Sequence, residues 1–228
     1  MTLILAVHGT RCEAGTATSR ALARTVADRV DVPVQLGWVD IHTPTLTDTL
    51  RSVGKAVVVP VFLTGGYHVG SDIPAAIAAA GSLATATPAV GADVLPAVLD
   101  RLRAVGDFDA VVLAGAGSKR RSAVAEVHNV ADKLARAVDR PARAGFVTAS
   151  DPTVPDAVAA LRRAGHDRVV IAPYLLAPGL FSRRLHTAGA DAVSEPIGVH
   201  PLLVDVICRR WRQAEPAQPA SNAAAIGQ

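Results

Sequence analysis

Aromatic side chains make up only 4% of this 228-residue chain, too few for the stacking platforms that hold single-stranded nucleic acid. No tract alternates basic residues with aromatics, and the basic residues are nearly all arginines scattered through helical segments, which argues against a nucleic-acid partner. Cysteine is almost missing. Cys12 and Cys208 stand far apart in no CxxC pattern, which excludes a disulfide framework or a four-ligand structural zinc and fits a reducing cytoplasm. Long apolar runs are absent too. The opening TLILAV lacks a charged leader and a cleavage site and reads as a first strand, and no run approaches the roughly 18 apolar residues of a membrane span, so no membrane is expected. There is no GxxxxGK[ST] for a P-loop and no GxSxG for a serine hydrolase. Gly115-Ala116-Gly117 begins like a dinucleotide fingerprint, but Arg120 stands where the third glycine belongs.

What is present is apolar and alternating. Half of the residues are hydrophobic, enough for a substantial core, and the net charge of +3 suits an acidic small molecule. The run from Val57 to Leu63 reads as a parallel strand buried on both faces, breaking at Thr64-Gly65-Gly66 into Tyr67-His68. Further strands are expected at 2–7, at 32–39 and, weakly, at 84–88. Helices are expected over 16–30, from about Pro44, after Pro74 and over 93–105.

The second half repeats the first. LAVHGTR at 5–11 aligns with LAGAGSK at 113–119, and VDIHTPTL at 39–46 with VTASDPTV at 147–154, both at an offset of 108 residues. PVFLTGGYHV at 60–69 aligns with PYLLAPGLFS at 173–182 after a five-residue insertion around 162–167. The fold class is therefore α/β: two tandem-duplicated, doubly wound parallel-sheet lobes facing a central cleft. They are divided at 1–105 and 106–213, with a Pro/Ala-rich disordered tail over 214–228.

The copies differ where chemistry would sit. His8 aligns with Ala116, Asp40 with Thr148, His68 with Phe181 and Asp72 with Leu185, so the titratable groups are confined to the N-terminal copy. His8, Asp40 and His68 all follow strand ends, where open parallel sheets place ligands. Two imidazoles and a carboxylate suit a borderline divalent ion in an open site, and neutral imidazole also serves as a base. Asp72 is expected to cap the helix that follows it, and His42, His128, His166, His186 and His200 to lie on the surface. Cys12 is expected to be a buried, inert thiol.

The motifs VHGTR, VDIHTPTL and VPVFLTGGYHVGSDIP together resemble the CbiX/SirB family of class II chelatases, over about residues 1–211 in the long, duplicated form. That resemblance implies a lyase-class, ATP-independent enzyme inserting Fe²⁺ or Co²⁺ into sirohydrochlorin, on a route to siroheme or cobalamin. The metal would be a substrate, and no prosthetic group is implied. The family's two active-site histidines carry over to His8 and His68, and its acidic residue four before a proline to Asp40, where glutamate is commoner. One histidine would act as base while the other, with Asp40, holds the metal. Sirohydrochlorin is a polycarboxylate, and Arg120, Arg121, Arg183 and Arg184 of the second copy are candidates for binding its carboxylates. A cleft completed within one chain is compatible with a monomer. A non-catalytic metal or tetrapyrrole carrier using the same cleft is the alternative, and a histidine-dependent phosphoryl transferase a weaker third.

Overall fold

The computed structural model describes residues 1–214. The tail expected over 214–228 falls outside the described residues from position 215 onward, and Ala214 itself ends the last helix.

Two four-stranded, all-parallel sheets are built from β1 (Thr2–Val7), β2 (Val34–Trp38), β3 (Ala56–Pro60) and β4 (Ala84–Ala86), and from β5 (Ala110–Gly115), β6 (Ala142–Phe146), β7 (Val169–Tyr174) and β8 (Ala192–Val193). Their orders are β2-β1-β3-β4 and β6-β5-β7-β8, the same winding twice. The continuous apolar runs are explained by burial on both faces. Leu3, Leu5 and Val7 point into one core and Ile4 and Ala6 into another; Val57 and Val59 alternate with Ala56 and Val58 in the same way.

The helices are α1 (Glu13–Ala27), α2 (Leu46–Arg51), α3 (Ile73–Ala80), α4 (Leu95–Arg103), α5 (Arg121–Val138), α6 (Val154–Arg163), α7 (Leu180–Leu185) and α8 (Pro201–Ala214). Several differ in extent from the sequence expectation. α2 starts after Pro44, because Thr45 is its N-cap: the Thr45 hydroxyl accepts from Asp48 N–H at 3.2 Å and Asp48 accepts from Thr45 N–H at 3.1 Å. Thr153 and Asp156 repeat half of this box at α6. α1 begins three residues before the expected Thr16 and stops at Ala27. The segment expected as one helix over 93–105 is a 3₁₀ turn at Gly91–Val94 followed by α4. The insertion in the second copy is absorbed as extra helix, making α6 ten residues long against six in α2.

A central core fills the space between the inner faces of the two sheets and includes Leu22 and Val26 of α1, Val98 and Leu102 of α4, Val127 and Leu134 of α5, and Leu203, Ile207 and Trp211 of α8. Within it the lobes exchange helices. α4, the last helix of the first half, packs on β7 and α5, while α8, the last helix of the second, packs on β3, α1 and α4. A division of the sequence at residue 105 therefore cuts across the packing. Ion pairs tie the exchange down, with Arg29 on Asp205 at 2.8 Å and Arg210 on Asp93 at 2.9 Å.

His200 is not a surface residue. Its side chain is largely buried at the start of α8, with Nδ1 accepting from Leu202 N–H at 3.3 Å. Burial, and then the charge of Arg101, hold its pKa below the usual histidine value despite Asp100 at 3.7 Å. Among the described residues no helix is long and apolar enough to cross a membrane, and both cysteines are free thiols.

Candidate metal centre and cleft

In each sheet the winding reverses direction beside the strand that comes first in sequence, and ligands collect in the crevice this creates at the strands' carboxyl ends. In the first lobe that crevice lies between β1 and β3. His8 leaves the end of β1, His68 follows β3, and Asp40 follows β2 on the other side of β1. The imidazole rings of His8 and His68 stand edge to face with centroids 4.8 Å apart. One ligand atom each from His8, Asp40 and His68 lies within 4.8 Å of the others. Ligands about 2.0–2.2 Å from a shared ion sit roughly 3–4 Å apart, so small side-chain rotations close the set.

The loop backbone prepares these groups. Gly9 is needed where it stands, because a Cβ there would collide with the Asp40 carbonyl oxygen and crowd Ile41. Gly9 N–H donates to Asp40 Oδ1 at 2.8 Å, and that oxygen lies 3.3 Å from His8 Nδ1. Among the described residues nothing bonds the second Asp40 oxygen. His8 Nδ1 donates to the Gly9 carbonyl at 2.6 Å, which assigns its proton to Nδ1 and leaves the lone pair on Nε2.

His68 opens a single π turn, His68–Asp72, closed by Ile73 N–H on the His68 carbonyl and running directly into α3. Such turns gather at functional positions. Asp72 makes no side-chain cap to α3, so the capping expectation is corrected: its Oδ2 accepts from His68 Nδ1 at 2.6 Å. A carboxylate only accepts, so His68 also carries its proton on Nδ1 and keeps its lone pair on Nε2. The i,i+4 spacing on a helical turn was the available signal for this pair. At the matching positions of the second lobe Phe181 and Leu185 pack into an apolar cluster.

His42 is also drawn inward. Ile41 adopts a left-handed backbone, φ 64°, which folds His42 back so that its Nε2 lies 2.6 Å from the Thr10 carbonyl, with its ring 4.7 Å from that of Trp38. It braces the 8–12 loop. Cys12 is half-exposed beside this loop rather than buried; a backbone N–H at Gly15 and then Arg183 hold its thiol pKa below the ordinary value.

The centre opens into a cavity of about 870 Å³ between the lobes, lined on one side by His8, Phe62, Tyr67 and His68 and on the other by Ala116, Phe146, Tyr174 and Phe181. Arg183 is the one member of the four-arginine set in this lining; Arg121 and Arg184 are exposed outside it. Arg120 is occupied by the histidine loop, reaching Ser71 Oγ at 3.1 Å and standing 5.2 Å over the Tyr67 ring. Two more groups of the second lobe hold that loop. Glu126 accepts from Gly65 N–H at 2.8 Å, and Tyr174, its pKa raised by burial above all, donates to the Leu63 carbonyl at 3.0 Å.

The sequence model of the CbiX family matches residues 2–101 and 110–214, both lobes. This chain belongs to the CbiX family. Its two matched segments coincide with the two copies of the internal repeat. A curated relative, the sirohydrochlorin cobaltochelatase of Methanothermobacter thermautotrophicus, is 24% identical over 130 residues, covering 46% of this chain and 91% of the relative. SirB from Bacillus subtilis with Fe³⁺ superposes with a TM-score of 0.79 at 24% identity, covering 93% of this chain and 94% of that one. The structure of a CbiX described as the terminal enzyme for biosynthesis of siroheme in denitrifying bacteria gives 0.68 at 22% identity over 94% and 99% of the two chains. At these identities the superpositions establish a common two-lobed fold.

Proposed function

We propose that the protein is a sirohydrochlorin chelatase, inserting Fe²⁺ or Co²⁺ into the tetrapyrrole without ATP. The observation that carries this reading is the convergence of His8, Asp40 and His68 on the wall of a cleft large enough for a flat macrocycle. Family membership and the metal-bearing SirB relatives support it.

Insertion replaces two pyrrole N–H bonds by bonds to the metal and releases two protons, while the ion sheds water. His8 through Nε2 and Asp40 through its free oxygen hold the incoming ion, and His68 supplies a third ligand, leaving the remaining positions to water and then to the macrocycle. When the ion passes to the macrocycle nitrogens, His68 is released and accepts the pyrrole protons one after the other. Asp72 behind it stabilises the imidazolium that forms and keeps Nε2 as the accepting atom. Both rings are partly exposed, which gives the protons a route to water. Arg183 at the cleft wall is positioned to pair with a peripheral carboxylate of the substrate, with Arg184 and Arg121 further out.

An anaerobic insertion assay tests this reading. With protein substoichiometric to sirohydrochlorin, the absorbance of the metallated product should continue to rise well past one turnover with Fe²⁺, Co²⁺ or both, and Arg183→Ala should raise KM for the tetrapyrrole while sparing metal affinity. Binding of both partners with no turnover would leave a carrier in place of an enzyme.

A further inference from the structure

Five large apolar side chains are exposed among the described residues: Met1, Ile41, Tyr67, Leu83 and Leu180. Three of them, Ile41 at 56%, Tyr67 at 60% and Leu180 at 53%, come from three separate segments and two lobes, yet all line the cavity that holds the histidines. Tyr67 and Leu180 are the same position of the repeat, immediately before His68 and Phe181. The second lobe has no imidazole at that site but carries a large apolar neighbour there.

Ile41 is the more informative member. Its left-handed backbone recurs at the repeat-equivalent Ala149, φ 57°, so the fold imposes this conformation on both lobes. Glycine or asparagine adopts it readily and a β-branched side chain is poorly suited to it. The first lobe nevertheless carries isoleucine there, half-exposed, directly after Asp40. Neither folding nor solubility favours that choice.

We infer that Ile41, Tyr67 and Leu180 form an apolar collar that grips the flat face of the tetrapyrrole, with Ile41 the specificity-determining contact that sets the macrocycle over the metal centre. The inference rests on the chelatase reading and adds to it how the apolar part of the substrate is held. Ordinary exposed apolar residues scatter, whereas a ring of them around a cleft marks a surface covered by a ligand.

The test is titration of metal-free sirohydrochlorin into wild-type protein and variants without metal, followed by tetrapyrrole fluorescence, beside a thermal melt of each. Ile41→Asn should bind about tenfold more weakly, the effect of withdrawing one large apolar contact, and melt at a higher temperature. Ile41→Leu should bind nearly as wild type. Leu180→Ser, an exposed position in ordinary backbone, should bind several-fold more weakly with an unchanged melt. Wild-type affinity in both Ile41→Asn and Leu180→Ser overturns the collar and leaves the chelatase reading intact. Wild-type protein that fails to bind sirohydrochlorin removes both.

Discussion

His68→Ala is expected to lower the rate of metal insertion by about 10²–10⁴-fold, the range for loss of a positioned acid–base group, with the fold unchanged. His68 is partly exposed and belongs to no core cluster, so truncation leaves no cavity. Asp72→Asn separates the roles that aspartate could have. Asparagine caps a helix as well as aspartate does, so a capping residue would tolerate the change. A residue that orients His68 and stabilises its protonated form would not, and insertion should fall about 10–100-fold with an unchanged melting temperature. Stopped-flow absorbance of product formation reads both variants; a wild-type rate in Asp72→Asn would return that residue to a structural role.

Trp211→Ala should destabilise the protein by about 3–5 kcal/mol, the usual cost of truncating a buried large aromatic. Trp211 is buried in the central core on α8, a helix that follows the second sheet in sequence and packs on β3 of the first. The strand it supports leads into the His68 loop. Because the central core contains side chains from both sheets, the loss should move a single cooperative transition for the whole molecule. Chemical denaturation followed by tryptophan fluorescence and far-ultraviolet circular dichroism measures this. Two transitions, only one displaced by the substitution, would mean that the lobes fold separately in spite of the exchanged helices.

The exchange itself was not legible in the sequence. Amphipathic spacing along Leu95–Arg103 and Pro201–Ala214 says that each helix needs an apolar surface, and either sheet supplies one. The sheets were readable because runs such as VVVPV are apolar without alternation, and their pairing into two lobes followed from the offset of 108 residues. His8, Asp40 and His68 stood out because the second copy lacks them. Asp72 reads as a cap from sequence because an acidic residue before a helix has the same appearance whether it caps or bonds a neighbour four residues back. His42 and His200 read as surface residues for a related reason: a left-handed turn at Ile41 and the buried start of α8 are tertiary outcomes. Arg120 reads from sequence as a free guanidinium, yet Ser71 and the Tyr67 ring meet it from the opposite lobe.

Those contacts give the second lobe a use that its missing histidines conceal. Arg120, Glu126 and Tyr174 all hold the segment from Leu63 to Ser71, the loop that carries His68. One copy carries His8, Asp40 and His68, and the other holds the loop on which His68 stands.

On the chelatase reading His8, Asp40 and His68 share one divalent ion. Anaerobic titration with Co²⁺, following the visible ligand-field bands, measures this. One Co²⁺ per chain is expected in the wild type, with at least about tenfold weaker binding in each of His8→Ala, Asp40→Ala and His68→Ala. Undiminished one-to-one binding in the two histidine variants would contradict it.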